Sequence, residues 1–208
     1  MFGICLQTMY RNTLQKCIFK KARFLFILIF AFTMGIMHSA SLRAQEIWYP
    51  ESFIQTQGRL SKDGAIGLCS WAFINAGYSG YMLNRTSGQE QNFHEMNLIW
   101  SGIDLAIGIP TFIRSHRIYK GKIKLHLDTY NPKRYMKIYS VNSWLDLAYI
   151  ATGFILKSKA NSSRDPEMMQ GYGKAMLMQG GLLFSFDSVM YLLHRKLLKN
   201  HLRISLKQ

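Results

Sequence analysis

Four stretches of roughly twenty residues, 64–83, 95–113, 139–156 and 173–193, are almost wholly apolar, yet three of them hold an aspartate well inside. That feature limits the fold more than any other. A helix rises about 1.5 Å per residue, so each stretch matches the roughly 30 Å hydrocarbon core of a bilayer. The core helix of a soluble protein would instead alternate apolar and charged residues at a helical period. The expected fold is therefore all-α: a helical membrane bundle of about four spanning helices. The links 84–93 and 157–169 are short and polar, which predicts two antiparallel hairpins. Pro110 is expected to kink or end the second span. In the longest polar connection, 114–138, residues 122–128 alternate at period two and suit an extended segment.

A further apolar run, 24–37, follows Arg11, Lys16, Lys20, Lys21 and Arg23 and precedes a patch of small residues. This order predicts a secretory signal, or an uncleaved N-terminal anchor helix. The expected organisation is a signal or anchor at 1–45, a polar approach segment at 46–63, a four-helix transmembrane domain at 64–196 and a basic tail at 197–208.

The net charge of +15 needs a cause. The basic residues flank the apolar stretches, a position that fits headgroups and topology control. No nucleic-acid recognition module is present, so nucleic acid is not an expected partner. The expected partners are the lipid bilayer, an anionic lipid or acidic partner at 114–138, and a second copy of the chain if it forms a transport path. If the spans alternate, sixteen lysines and arginines fall on the side holding 41–63, 114–138 and the residues from His194 onward, against five on the other. Positive charge favours the cytoplasm for that side, whereas an exported start at 41 places it outside. The expected location is the bacterial inner membrane, with orientation left open between these signals.

The polar residues inside the spans form stripes. Residues three, four or seven apart share a helix face. Trp71, Asn75 and Tyr78 do so on the first span, and His94, Asn97, Ser101 and Asp104 on the second. Asn142, Asp146 and Tyr149 follow on the third, and Gln179, Asp187 and Tyr191 on the fourth. An aspartate at the centre of a span costs about 2.5–3.5 kcal/mol on insertion scales. Asp104, Asp146 and Asp187 are therefore expected to face one another inside the bundle. No lysine or arginine lies deep in a span, so a shared proton or a cation is expected among them. The candidate ligand or ion site is Asn75, Asn97, Asp104, Asn142, Asp146, Gln179 and Asp187. The competing reading is that these groups only lock the helices together, with bonds worth about 0.6 kcal/mol on average.

Other chemistry finds little support. Cys5, Cys17 and Cys69 have neither metal-ligand nor disulfide-framework spacing. His94, His116 and His194 lie near span ends, where headgroups are the expected surroundings, and a haem between His116 and His194 is not adopted. Asp146 and Asp187 lack the adjacent glycine of an intramembrane protease. No enzyme activity, metal or cofactor is expected. Ala72, Ala76 and Gly80 are expected to form a small face for close helix approach. The matching spacing of Trp71 with Gly80 and of Trp144 with Gly153 hints at an internal repeat.

Certain motifs resemble those of a known family. They are Gly67-Leu-Cys-Ser-Trp-Ala-Phe-Ile-Asn75, Phe93-His-Glu-Met-Asn97 with Trp100, Asn142-Ser-Trp-Leu-Asp146 with Tyr149, and Gln170-Gly-Tyr-Gly173 with Gln179-Gly-Gly and Asp187. In order and spacing they resemble an uncharacterised family of small membrane proteins from Bacteroidetes-type bacteria, across residues 57–193. The resemblance implies a signal-led helical membrane protein and supplies no activity. Ser101-Gly-Ile-Asp104 departs from the asparagine expected there, which leaves Asp104 outside what the resemblance implies.

Overall fold

The computed structural model describes residues 49–123 and 131–205. Among these the chain is helical, with no strand. The helices are α1 (Glu51–Leu83), α2 (Gly88–Tyr119), α3 (Lys133–Lys159) and α4 (Pro166–Ser205). A single 3-10 turn, Ala160–Ser162, lies between α3 and α4. The expected signal or anchor at 1–45 and most of the alternating segment 122–128 lie outside the described residues.

The helices reach well beyond the apolar stretches, and local chemistry sets their ends. Pro166 opens α4, where its missing N–H is no loss, and the Asp165 carboxylate accepts from the Met168 N–H at 3.0 Å. Asn131 accepts from the Lys133 N–H in the same way at 3.0 Å. Gly121, at φ 65°, ends α2: its N–H bonds Ile118 and the next N–H, of Lys122, reaches back to Arg117. This is a Schellman cap, which requires a left-handed residue. Pro110 does not end α2, which continues to Tyr119. The polar stretch 51–63 is the first part of α1 itself. Its buried face runs Gln57, Ser61, Ala65, Leu68, Ala72, Asn75 and Ser79 at steps of three and four.

Contacts run in opposite senses along α1 and α2: Gly58 meets Ile118, Asn75 meets Ser101, and Ser79 meets His94. Helices α3 and α4 pair likewise, Lys157 against Gly173 and Ile150 against Gly180. The two antiparallel hairpins join mainly through α2 against α4, with a lighter contact of α1 on α4. The result is a helical bundle.

The tightest seam is not the expected one. Of Ala72, Ala76 and Gly80, Ala72 is buried, but Gly80 is exposed and has room beside it. Close approaches lie along the α3–α4 seam and where Gly171 of α4 meets the Gln89 carbonyl of α2. A Cβ on Gly153 would stand 2.9 Å from the Gly173 carbonyl oxygen, and one on Gly180 3.1 Å from that of Asp146. The suggested repeat fails for a related reason. Trp71 bonds inward to Gln179 while Trp144 is 72% exposed, and Gly80 is open while Gly153 is packed.

The distribution of polarity inverts that of a soluble domain. Along the middle of the bundle the buried side chains include Asn75, Asn97, Ser101, Asp104, Asp146, Gln179 and Asp187. The exposed ones include Phe73, Ile74, Ile107, Phe154 and Val189. Buried polar groups with large exposed apolar ones are the informative departures from ordinary burial. The end where α1 begins and α4 finishes reverts to the usual order. There Tyr49, Phe53, Ile54, Ile118 and Leu198 form an apolar core. Around it stand the exposed Arg59, Arg114, Arg117, Lys133, Arg134, Arg195, Lys196 and Lys199. Helices α2 and α4 are long and apolar enough to cross a membrane. Glycine, serine and asparagine dilute the apolar character of α1.

A candidate functional site of buried amides and carboxyls

The interior polar groups divide into two layers. The first is an amide network joining three helices. Asn75 on α1 donates from Nδ2 to the Asn97 carbonyl at 3.1 Å and to Ser101 Oγ at 2.9 Å. Gln179 on α4 donates from Nε2 to Asn97 Oδ1 at 2.9 Å, and Trp71 Nε1 donates to Gln179 Oε1 at 3.2 Å. Each helix contributes through the face predicted from its spacing.

The second layer is acidic. Asp104, Asp146 and Asp187 are 2%, 3% and 6% exposed, so all three expected carboxyls are inside. The carboxyls of Asp146 and Asp187 stand within hydrogen-bonding reach of each other, with Asn142 beside Asp187. Asp104 lies within electrostatic reach of both other aspartates. A carboxylate only accepts, so two carboxyl groups placed like this can bond only where one of them carries a proton. Asp104 Oδ2 and Asp146 Oδ2 are buried with no hydrogen-bond partner among the described residues. Asn97 Nδ2 is likewise unpartnered. No lysine or arginine among the described residues acts on the three carboxyls. The cross-helix ion pair Lys174–Glu90, at 2.8 Å, is on the exposed surface.

All seven candidate residues thus fall in these layers, Asn142 being half-buried and the other six buried. The aromatic companions are less uniform. Tyr149 packs edge-on against Trp100 at 4.8 Å, but Tyr78 is 58% exposed and only its ring edge meets His94. A tyrosine covering a surface patch satisfies the same spacing as one facing inward.

Sequence reasoning missed a third layer. His194 was expected among headgroups but is fully buried. Its ring stacks on Tyr135 at 4.9 Å and Tyr139 at 5.4 Å. Gln57 Nε2 lies 3.4 Å from Nδ1 and also donates to the Pro132 carbonyl, while Ser61 Oγ lies 3.4 Å from Nε2. An amide nitrogen only donates, so a bond from Gln57 pairs with the tautomer in which Nδ1 accepts and Nε2 carries the proton toward Ser61. His94 is buried too, against Ser79 at 3.4 Å. The signal lay in Gln57 and Ser61, one turn apart and in step with Asn75, once α1 is extended past Asp63. His194→Phe keeps the ring stack and removes both polar contacts. It is expected to cost about 1–3 kcal/mol in unfolding free energy, measured in detergent.

No curated protein and no solved structure matches the chain. A family model, that of a family of unknown function designated DUF6992, matches residues 67–188, which contain the amide and acidic layers entire. The chain belongs to this family.

Proposed function

We propose that this is an integral membrane protein of the bacterial inner membrane. Its four helices all cross the bilayer, and its Asp104, Asp146 and Asp187 hold an exchangeable proton. The observation that carries the reading is the Asp146–Asp187 acid pair, with the open oxygens of Asp104 and Asp146 beside it and no cation among the described groups. Ionisable groups inside a membrane bundle are functional by default. The apolar exterior at the same level supports lipid as the surroundings. A proton suits the site better than a metal ion, since among the described residues no three His, Cys, Asp or Glu are placed to hold one. The unpartnered Asn97 amide leaves room for a small polar ligand as a second occupant.

The amide layer supports a different role. Trp71, Gln179, Asn97, Asn75 and Ser101 bond one another across three helices, with only the Asn97 Nδ2 left over, which suits a lock between helices. Both roles fit one bundle, with locking at one level and proton holding at the next. A path across the membrane through so few helices calls for a homodimer, and the basic end suits anionic lipid or an acidic partner.

Infrared spectroscopy at neutral pH tests the proton. The wild-type protein in lipid should show a carboxylic-acid C=O band that the Asp146→Asn, Asp187→Asn double variant lacks. Ionised carboxylate bands alone would refute the reading.

A further inference from the structure

We infer that the basic end of the bundle is a docking surface for the headgroups of anionic phospholipids in the surrounding bilayer. The inference rests on the membrane-spanning reading proposed above and names the partner met at that end.

The four helices turn from charged to apolar at one level. Gly58 meets Ile118, and His194 meets Gln57, Ser61, Tyr135 and Tyr139, so these parts of α1, α2, α3 and α4 lie side by side. Close to this level stand Lys62, Arg114, Lys137 and Arg195. Away from them each helix runs about 18–21 residues before the next charged residue, the buried aspartates apart, which is roughly 27–32 Å. Exposed Ile66, Ile113 and Leu192 stand within about one turn of the charges. The basic side chains therefore sit where the hydrocarbon of a bilayer gives way to phosphate.

These charges are short of partners within the chain. Glu51 and Asp63 are the carboxylates described at this end, and Asp63 is shared by Arg59 at 3.9 Å and Lys62 at 3.1 Å. Among the described residues no ion pair holds Arg114, Arg117, Lys120, Arg195 or Lys196. At the opposite end five basic residues stand against four acidic ones among the described residues, so charge there is nearly balanced, and Lys174 pairs with Glu90. The basic end instead brings like charges together. Lys62 from α1 and Lys120 from the end of α2 both stand over the Tyr119 ring, 4.8 and 5.6 Å from its centroid. Phosphate groups among such cations offset their repulsion. A lipid suits this surface better than an acidic protein does. The charges ring the ends of all four helices, with no single face favoured, and they continue directly into exposed apolar side chains. One phospholipid can meet an arginine with its headgroup while its acyl chains lie along Ile113 or Leu192.

The test measures lipid preference around the full-length protein. Vesicles of phosphatidylcholine carry a trace of spin-labelled phosphatidylglycerol or of spin-labelled phosphatidylcholine, and the motionally restricted part of each spectrum gives the relative affinity. The wild type should hold phosphatidylglycerol on the order of fivefold more tightly, the effect of one basic side chain near a headgroup. The combined variant Arg117→Gln, Lys120→Gln, Arg195→Gln, Lys196→Gln should lose most of that preference. It keeps the basic residues before residue 24, so the loss belongs to the end of the bundle. The Lys159→Gln, Arg164→Gln variant, exposed at the opposite end, should keep the preference. If the fourfold change disturbs the bundle, as a lowered unfolding temperature would reveal, Arg195→Gln with Lys196→Gln takes its place and should lose about half of the preference. Equal binding of the two lipids by the wild type overturns the inference. So does a preference that survives the basic-end changes, or one that falls equally in both variants. A protein that leaves the vesicles in alkaline carbonate overturns the proposed function instead, so the two failures are separable.

Discussion

Gly153→Leu is expected to stop α3 and α4 from closing on one another. The new side chain would meet the Gly173 carbonyl oxygen and the Leu177 amide, each about as close as the first added carbon alone, at 2.9 and 3.0 Å. Those are backbone atoms of the facing helix, which cannot turn aside as a side chain can. Overpacking a core costs about 1–3 kcal/mol where side chains give way, and more where they do not. The expected loss is about 3 kcal/mol or more, read as a lowered unfolding midpoint in detergent. Gly102→Ala is the control. Nothing stands within 4 Å of its added carbon. Alanine there should be neutral or stabilise the helix by up to about 1 kcal/mol. Equal effects at the two positions would mean that the α3–α4 seam is not as close as described.

The second large effect belongs to the amide layer. Gln179→Leu strands two partners at once: Trp71 Nε1 loses its acceptor and Asn97 Oδ1 its donor. A buried polar group left unsatisfied costs about 1–3 kcal/mol. Bonds between membrane helices are often weaker than this, with a maximum near 1.7 kcal/mol in one well-measured case. An overall loss of about 2 kcal/mol is therefore expected. Asp146→Asn should behave differently. The amide can still donate to Asp187, so stability should fall by less than half that amount while the acid band is altered. If both variants lose the same stability and the band survives Asp146→Asn, the acidic layer is a lock like its neighbour.

These expectations separate what was legible in the sequence from what was not. Spacing alone placed Asn97, Ser101 and Asp104 on one face of α2, because helical geometry turns three- and four-residue intervals into a stripe. The cost of burying charge in lipid then turned the aspartates inward. Both arguments are local, and both agree with the burial found. The α3–α4 seam was not legible. Gly153, Gly173 and Gly180 lie on two helices, and their contact depends on register between them. His194 was missed because the helices were cut where hydropathy falls. At that end α1, α3 and α4 continue, enclosing Gln57, Ser61 and Tyr139 with it. Pro110 sits exposed within α2, which continues past it.

The orientation conflict is sharpened by the bundle. The first part of α1 and the last parts of α2 and α4 meet around Tyr49, Phe53, Ile118 and Leu198, so the basic residues there share one end. The exported start expected from residues 24–37 lies outside the described residues.

The central claim is an inside-out bundle: polar within and lipid-facing without. It is tested most directly by nitroxide labels on single cysteines at Phe73, Ile107, Phe154 and Val189, after Cys5, Cys17 and Cys69 are changed to alanine. All four label positions are exposed. In lipid vesicles the account predicts frequent collisions with dissolved oxygen and few with a water-soluble nickel complex at each of them. Labels at Arg59 and Lys199, exposed at the charged end, should show the reverse. Ready access of the nickel complex to the four apolar positions would contradict the account. It would make the bundle a water-borne domain and leave its buried carboxyls without the lipid setting proposed for them.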